Sequence, residues 1–262
     1  PEMALCGYPP RDLLDRPSFL AEAARLLRDL ARRSGKTALL AGTVLPNPAR
    51  TGKPLHNAAV LLRNGRVAAV ARKCLLPAYD VFDEVRHFEP AKRPTLARLA
   101  GRNVGLTICE DLWNDKDFWR ARRLYPTDPG ETLVARGADL ILNVAASPFS
   151  EGKPRLRRRM LARLARDGGV PVAYLNLVGG NDERGFDGGS MVLDGAGRVR
   201  ARAALFEEDL VVVDLEGPRV AAVSGSEPAD LPDDAEGEPL ESLRRALVLG
   251  IRDYARKCGF RT

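Results

Sequence analysis

Residues 104–113 run Val-Gly-Leu-Thr-Ile-Cys-Glu-Asp-Leu-Trp: a short apolar stretch that ends on a cysteine and passes at once into two acids and a tryptophan. A run of this length, rich in β-branched and aliphatic residues, is a strand buried on both faces. Two more runs of the same kind follow, Asp139 to Val144 and Val170 to Asn176. Helical patterns at Phe118 to Leu124, Thr132 to Arg136 and Arg155 to Asp167 separate them. Strands alternating with helices predict an α/β protein.

Working outward, Pro17 to Arg33 places Phe19, Leu20, Ala23, Leu26, Leu27 and Leu30 at helical spacing, and Thr37 to Val44 reads as a buried strand. Asn57 to Leu62 and Arg66 to Ala71 flank Arg63-Asn64-Gly65, and Asn-Gly between apolar runs signals a hairpin. Ser190 to Leu193 and Arg198 to Ala203 predict a second hairpin across Asp194 to Gly197, and Leu210 to Leu215 a last strand. These hairpins make the expected sheets mixed. The polar, acidic segment 223–238, rich in Pro and Gly, reads as a linker. Beyond it, Leu243, Leu247, Ile251 and Tyr254 share one face of an amphipathic helix over Leu240 to Cys258, expected to open a second domain.

The chain's 262 residues are 45% hydrophobic and 29% charged, enough to bury a sizeable core. Its 41 Lys and Arg against 35 Asp and Glu leave a net charge of only +6. That charge and one Arg-rich segment, Arg155 to Arg166, are a weak basis for nucleic-acid binding, and the segment reads as an amphipathic helix with a solvated arginine face. No apolar run reaches the roughly 18 residues of a membrane span. Two histidines, His56 and His87, argue against His-based metal sites or triads. Four scattered cysteines without a CxxC pair argue against a zinc ribbon or dithiol centre and suggest a reducing, cytoplasmic setting. Ser34-Gly35-Lys36-Thr37 ends like a phosphate loop but lacks the leading glycine, since position 30 is leucine. Both termini read as cuts.

A thiol at a strand's C-terminal end can face a cleft on a fixed backbone, which suits a nucleophile, but it needs a base or a nearby cation to become thiolate. With no usable histidine, a carboxylate and a lysine are the available partners. Two other segments do not look like scaffold. Pro1 to Pro10, PEMALCGYPP, carries Glu2, and Lys73 to Asp80, KCLLPAYD, places a lysine where an apolar strand ends. Lysine is scarce, 7 against 34 arginines. From spacing alone, a buried structural cysteine and surface Glu and Lys remain open alternatives.

Together with NVAASPFSEGK (143–153) and YLNLVGGNDERGFDGGS (174–190), these segments resemble the carbon–nitrogen hydrolase (nitrilase) superfamily, and within it the glutaminase domains of glutamine-dependent NAD+ synthetases. The resemblance implies a four-layer αββα sandwich over residues 1–222, with the first strand and helix missing, then the linker at 223–238 and the opening helix of an otherwise absent synthetase domain at 239–262. It implies Glu2 as base, Lys73 as oxyanion-stabilising cation and Cys109 as nucleophile. Tyr79, Ser147 and Lys153 would contact L-glutamine, and Glu110 and Trp113 would line the same pocket. No metal or cofactor is expected in this segment. ATP, Mg2+ and deamido-NAD+ would belong to the missing domain, and a homo-oligomer is expected by analogy. A stand-alone amidase and a non-catalytic relative are the alternatives. Leu177, where glutamine is common, Asn181 and Gly185 depart from the pattern on a loop at the rim of the site.

Overall fold

The computed structural model describes residues 1–119, 121–224 and 239–260. Two sheets form its centre. Strands β1 (Leu39–Pro46), β2 (Leu55–Arg63) and β3 (Arg66–Arg72) make an antiparallel three-stranded sheet. The predicted Asn64-Gly65 turn joins β2 to β3, with φ of 52° and 77°, the left-handed pair that a tight hairpin requires. The second sheet has six strands in the order β11-β10-β7-β6-β5-β4. These are β4 (Thr95–Leu99), β5 (Arg102–Ile108), β6 (Leu140–Ala145), β7 (Val172–Asn176), β10 (Met191–Leu193) and β11 (Val199–Arg202). Strands β5, β6 and β7 run parallel, and the others pair antiparallel.

Alternation along β2 shows how the layers stack. Val60 and Leu62 pack with Leu27 and Ala31 of helix α1 (Pro17–Arg33), while Ala59 and Leu61 pack with Val104, Leu106 and Ile108 of β5. Both faces of β2 are therefore buried, and each fully enclosed aliphatic side chain contributes about 1.5–3 kcal/mol. On the far side of the larger sheet, Leu133 of α2 (Pro129–Ala135) and Met160, Leu161 and Ala165 of α3 (Lys153–Gly168) complete the core. The order is helix, sheet, sheet, helices: an αββα sandwich.

Three expectations need correction. Phe118 to Leu124 is turn, bend and irregular chain in its described residues, not helix. The Asp115 carboxylate accepts from the N–H of Asp117 and Phe118, both at 2.8 Å, and Asn114 donates to the carbonyls of Tyr125 and Thr127. Side chains that capture the backbone in this way compete with helix formation.

Helix α3 does not present all its arginines to water. Arg157 is fully buried and donates to Asp187 at 3.1 and 3.2 Å, over the ring of Tyr174.

The last helix, α4 (Pro239–Lys257), buries Leu249 and leaves Leu243, Leu247, Ile251 and Tyr254 exposed. It lies on a hairpin of β8 (Val178–Asn181) and β9 (Arg184–Asp187), where the Gly180 N–H donates to Asp253 at 2.8 Å and Lys257 donates to the Gly180 carbonyl at 2.6 Å. Polar anchoring to a glycine backbone, rather than the apolar stripe, decides which face docks. A further hairpin, β12 (Val212–Glu216) with β13 (Arg219–Ser224), takes up the first residues of the expected linker, and the remainder of that linker lies outside the described residues. No described helix is long and apolar enough to cross a membrane.

Candidate active site

Parallel pairing sets the C-terminal ends of β5 and β6 side by side, Ile108 opposite Val144, so Cys109 and the 145–147 segment emerge together. Cys109 begins a single 3-10 turn, Cys109–Leu112, with φ of 41°. A non-glycine residue in the left-handed region is strained, and such strain concentrates at functional sites. Asp111 holds this corner. One carboxylate oxygen accepts from the Ile108 N–H at 3.0 Å, and the other from Cys74 and Leu75 N–H at 2.8 and 2.9 Å. One side chain thus ties the end of β5 to the loop that follows β3, where Lys73 sits.

Residues 1–3 cross β1 at Gly42, where any Cβ would overlap the Pro1 carbonyl and the Met3 nitrogen. That close approach brings Glu2 inward. One oxygen of its carboxylate accepts from Lys73 Nζ at 2.7 Å and Asn57 Nδ2 at 2.6 Å, the other from the Ala146 N–H at 3.0 Å. Lys73 also donates to Glu84 at 2.7 Å, and Glu84 accepts from the Tyr8 hydroxyl at 2.9 Å. Glu2 and Lys73 are each 1% exposed, Cys109 and Glu84 5%.

Burial sets the electrostatics. The Cys109 thiol is pushed well up by desolvation and by the Glu2 carboxylate, with Lys73 opposing, so it rests as a neutral thiol. Desolvation would lower the Lys73 ammonium, but Glu2 and Glu84 outweigh it and hold the group firmly charged. Glu84 is raised to about 7, chiefly by desolvation, against the pull of Lys73.

Beside this cluster opens a cavity of about 860 Å³ whose wall includes Tyr79, Glu110, Trp113, Trp119, Lys153 and Arg159. Two of these carry opposite charge in a sheltered setting. The Glu110 carboxylate accepts from Tyr79 at 2.9 and 3.0 Å and from Tyr125 at 3.0 Å. Lys153 stands 5.6 Å from the ring centre of Trp113 and 5.8 Å from that of Phe82, its ammonium lowered by burial.

The structure therefore brings Glu2, Lys73 and Cys109 into one buried cluster and puts Tyr79, Glu110, Trp113 and Lys153 on one cavity wall. Ser147 is buried and does not line that cavity; its N–H donates to Asn176 at 2.9 Å. Sequence reasoning missed Glu84, Asn57, Asp111 and Tyr125. Two clues were available: Asp111 is the second acid of the opening stretch 104–113, and Glu84 lies a few residues beyond the lysine segment; Asn57 and Tyr125 carry no local signal. Of the departures on the rim, Leu177 packs beside the core that holds Met3 and Tyr8, and Asn181 donates to the Tyr8 carbonyl at 3.2 Å.

Residues 1–224 match the family model described as Carbon-nitrogen hydrolase. A glutamine-dependent NAD(+) synthetase of Synechocystis sp. is 42% identical over 264 residues, covering 99% of this chain and 46% of that protein. The structure of glutamine-dependent NAD+ synthetase from Acinetobacter baumannii superposes with a TM-score of 0.83 at 30% identity, over 99% of this chain and 45% of that one. A variant of the amidase from Nesterenkonia sp. AN1, carrying the result of Michael addition of acrylamide at its active-site cysteine, superposes with a TM-score of 0.61 at 25% identity, over 94% of this chain and 83% of that one. The chain spans about half the length of the curated relatives it matches.

Proposed function

The chain belongs to the carbon–nitrogen hydrolase family, and from that premise we propose that it hydrolyses the side-chain amide of L-glutamine, supplying ammonia for the ATP-dependent amidation of deamido-NAD+ to NAD+. The observation that carries this reading is the Glu2–Lys73 pair at 2.7 Å, buried with the Cys109 thiol beside a cavity whose wall includes the sheltered Lys153 and Glu110. An α-amino acid amide has matching charges: Lys153 suits its carboxylate and Glu110 its ammonium.

In the reaction we infer, Glu2 takes the thiol proton as the Cys109 sulfur attacks the amide carbon. The carbonyl oxygen becomes an oxyanion, which Lys73 stabilises; losing one such preorganised donor costs about 10²–10³ in rate. The C–N bond breaks as Glu2 returns the proton to the leaving nitrogen, giving ammonia and a thioester on Cys109. Water, deprotonated by Glu2, then attacks the thioester; its C–S bond breaks, glutamate leaves and the thiol is restored. Among the described residues no group of three or more His, Cys, Asp or Glu is arranged to hold a metal. On this reading residues 1–222 are the glutaminase unit, and α4 leads into the partner domain that would use them.

The test is glutamate and ammonia release from L-glutamine by the purified protein. Cys109→Ala should lower the rate at least about a thousandfold, as expected for loss of a nucleophile; release that survives the substitution refutes the assignment. The amidase alternative is separated by substrate: preference for acetamide or propionamide over glutamine would favour it.

A further inference from the structure

Residues 114–119 and 121–125, which break the helical expectation, border the cavity, with Asn114, Trp119, Arg122 and Leu124 in its wall. Asn114, itself buried, donates to the Tyr125 and Thr127 carbonyls at 2.8 and 2.6 Å and accepts from the Tyr125 N–H at 3.3 Å. Trp119 stacks on Trp113 with ring centres 6.4 Å apart. These contacts deliver the Tyr125 hydroxyl to Glu110, 15 residues back along the chain. Glu110 follows the cysteine directly, so a carboxylate that shifts its rotamer would move relative to the reacting sulfur. Two phenols fix it in place, Tyr79 at both carboxylate oxygens and Tyr125 at Oε1, and leave lone pairs for a further donor.

We propose that Tyr125 is a positioning residue for substrate selection: with Tyr79 it holds the Glu110 carboxyl as a fixed receptor for the substrate's ammonium group. The assignment rests on the glutaminase reading above. Positioning matters because a charge-assisted hydrogen bond rewards a preset geometry, and a mobile carboxylate in a half-enclosed pocket would pay ordering cost at each binding event. Burial dominates and raises the Glu110 carboxyl, with Lys73, the Tyr79 and Tyr125 hydroxyls and Lys153 opposing it. Removing the Tyr125 hydroxyl therefore moves ionisation of Glu110 to higher pH.

The experiment compares L-glutamine with 4-carbamoylbutanoate, the same amide without its ammonium group, in the unaltered protein and in Tyr125→Phe. The ring is kept, so packing is preserved. We expect KM for glutamine to rise about tenfold, the scale of one hydrogen bond to a charged group, with a much smaller fall in kcat and no change in KM for 4-carbamoylbutanoate. The rise in KM on acidification should begin at higher pH in the variant. In a Glu110→Gln background, Tyr125→Phe should add nothing. An unaltered KM for glutamine overturns the proposal, and so does an equal loss on both substrates, which would make Tyr125 a structural support only. An unaltered protein that hydrolyses neither amide overturns the glutaminase reading and this role with it. Glutamine hydrolysis by the unaltered protein with a KM that Tyr125→Phe leaves unchanged overturns this inference alone.

Discussion

Glu84 shows what burial does to a single carboxylate. It accepts from Lys73, Tyr8 and Asn57, yet desolvation lifts it from an ordinary 4.5 to about 7. A carboxyl raised in the folded state keeps its proton to higher pH than it does in the unfolded chain. Its contribution to stability is therefore full below about pH 4.5 and is lost as pH rises through about 7. We expect Glu84→Gln to flatten the fall in unfolding free energy across that window by on the order of 1 kcal/mol per pH unit, measured by urea denaturation at several pH values; identical slopes in both proteins would contradict it. Residues of this type also mark the limit of sequence reading. Cys109 and Lys73 stand at strand ends where apolar runs stop, and Glu2 sits in a segment unlike scaffold. Asn57 and Tyr125 are ordinary polar residues whose side-chain partners lie 15 to 55 positions away, and Asp111 reaches Cys74 37 positions back; only the tertiary fold introduces these pairs.

At the level of elements, the site depends on close packing between the first residues and β1. Gly42 is needed where Glu2 and Met3 pass, because an added Cβ meets backbone, which cannot swing aside as a side chain can. Gly42→Ala should displace Glu2 from Lys73 and lower glutamine hydrolysis by at least about tenfold, while the cost in stability stays near the 1–3 kcal/mol of ordinary overpacking. Parallel activity and stability assays decide it: an active variant would show that Glu2 need not hold its position. Elements with strong local patterns were legible in advance, α1 and the β2–β3 hairpin most clearly. β4 and the β8–β9 hairpin were not, being short and built around charged or glycine residues that pair only because neighbours present an edge. Arg157 defeated its helix pattern for a similar reason: Asp187, on another strand, makes burial of a guanidinium tolerable.

Across the whole molecule, the sandwich explains why the candidate catalytic residues share one end. β5 and β6 are parallel and central, and the β3 loop is tied to them by Asp111. Helix α4 stands apart from this core and touches it through the β8–β9 hairpin and, by Arg245, through the Leu205 carbonyl and the Phe206 ring. We expect Asp253→Ala to release the Gly180 amide and speed hydrogen exchange at residues 178–181, while exchange in β5 and β6 stays slow; unaltered exchange at 180 would show that the helix is held by other contacts. One consequence of the Glu2–Ala146 contact reaches further. That hydrogen bond spans 144 positions, and Lys73 and Cys109 fall between its ends. No contiguous half of the chain holds all four groups, so the reactive centre exists only when the entire sandwich has closed. The fraction of Cys109 titrated by a glutamine-mimicking electrophile would then count correctly folded molecules directly, turning the candidate nucleophile into a quality gauge for any preparation of the protein.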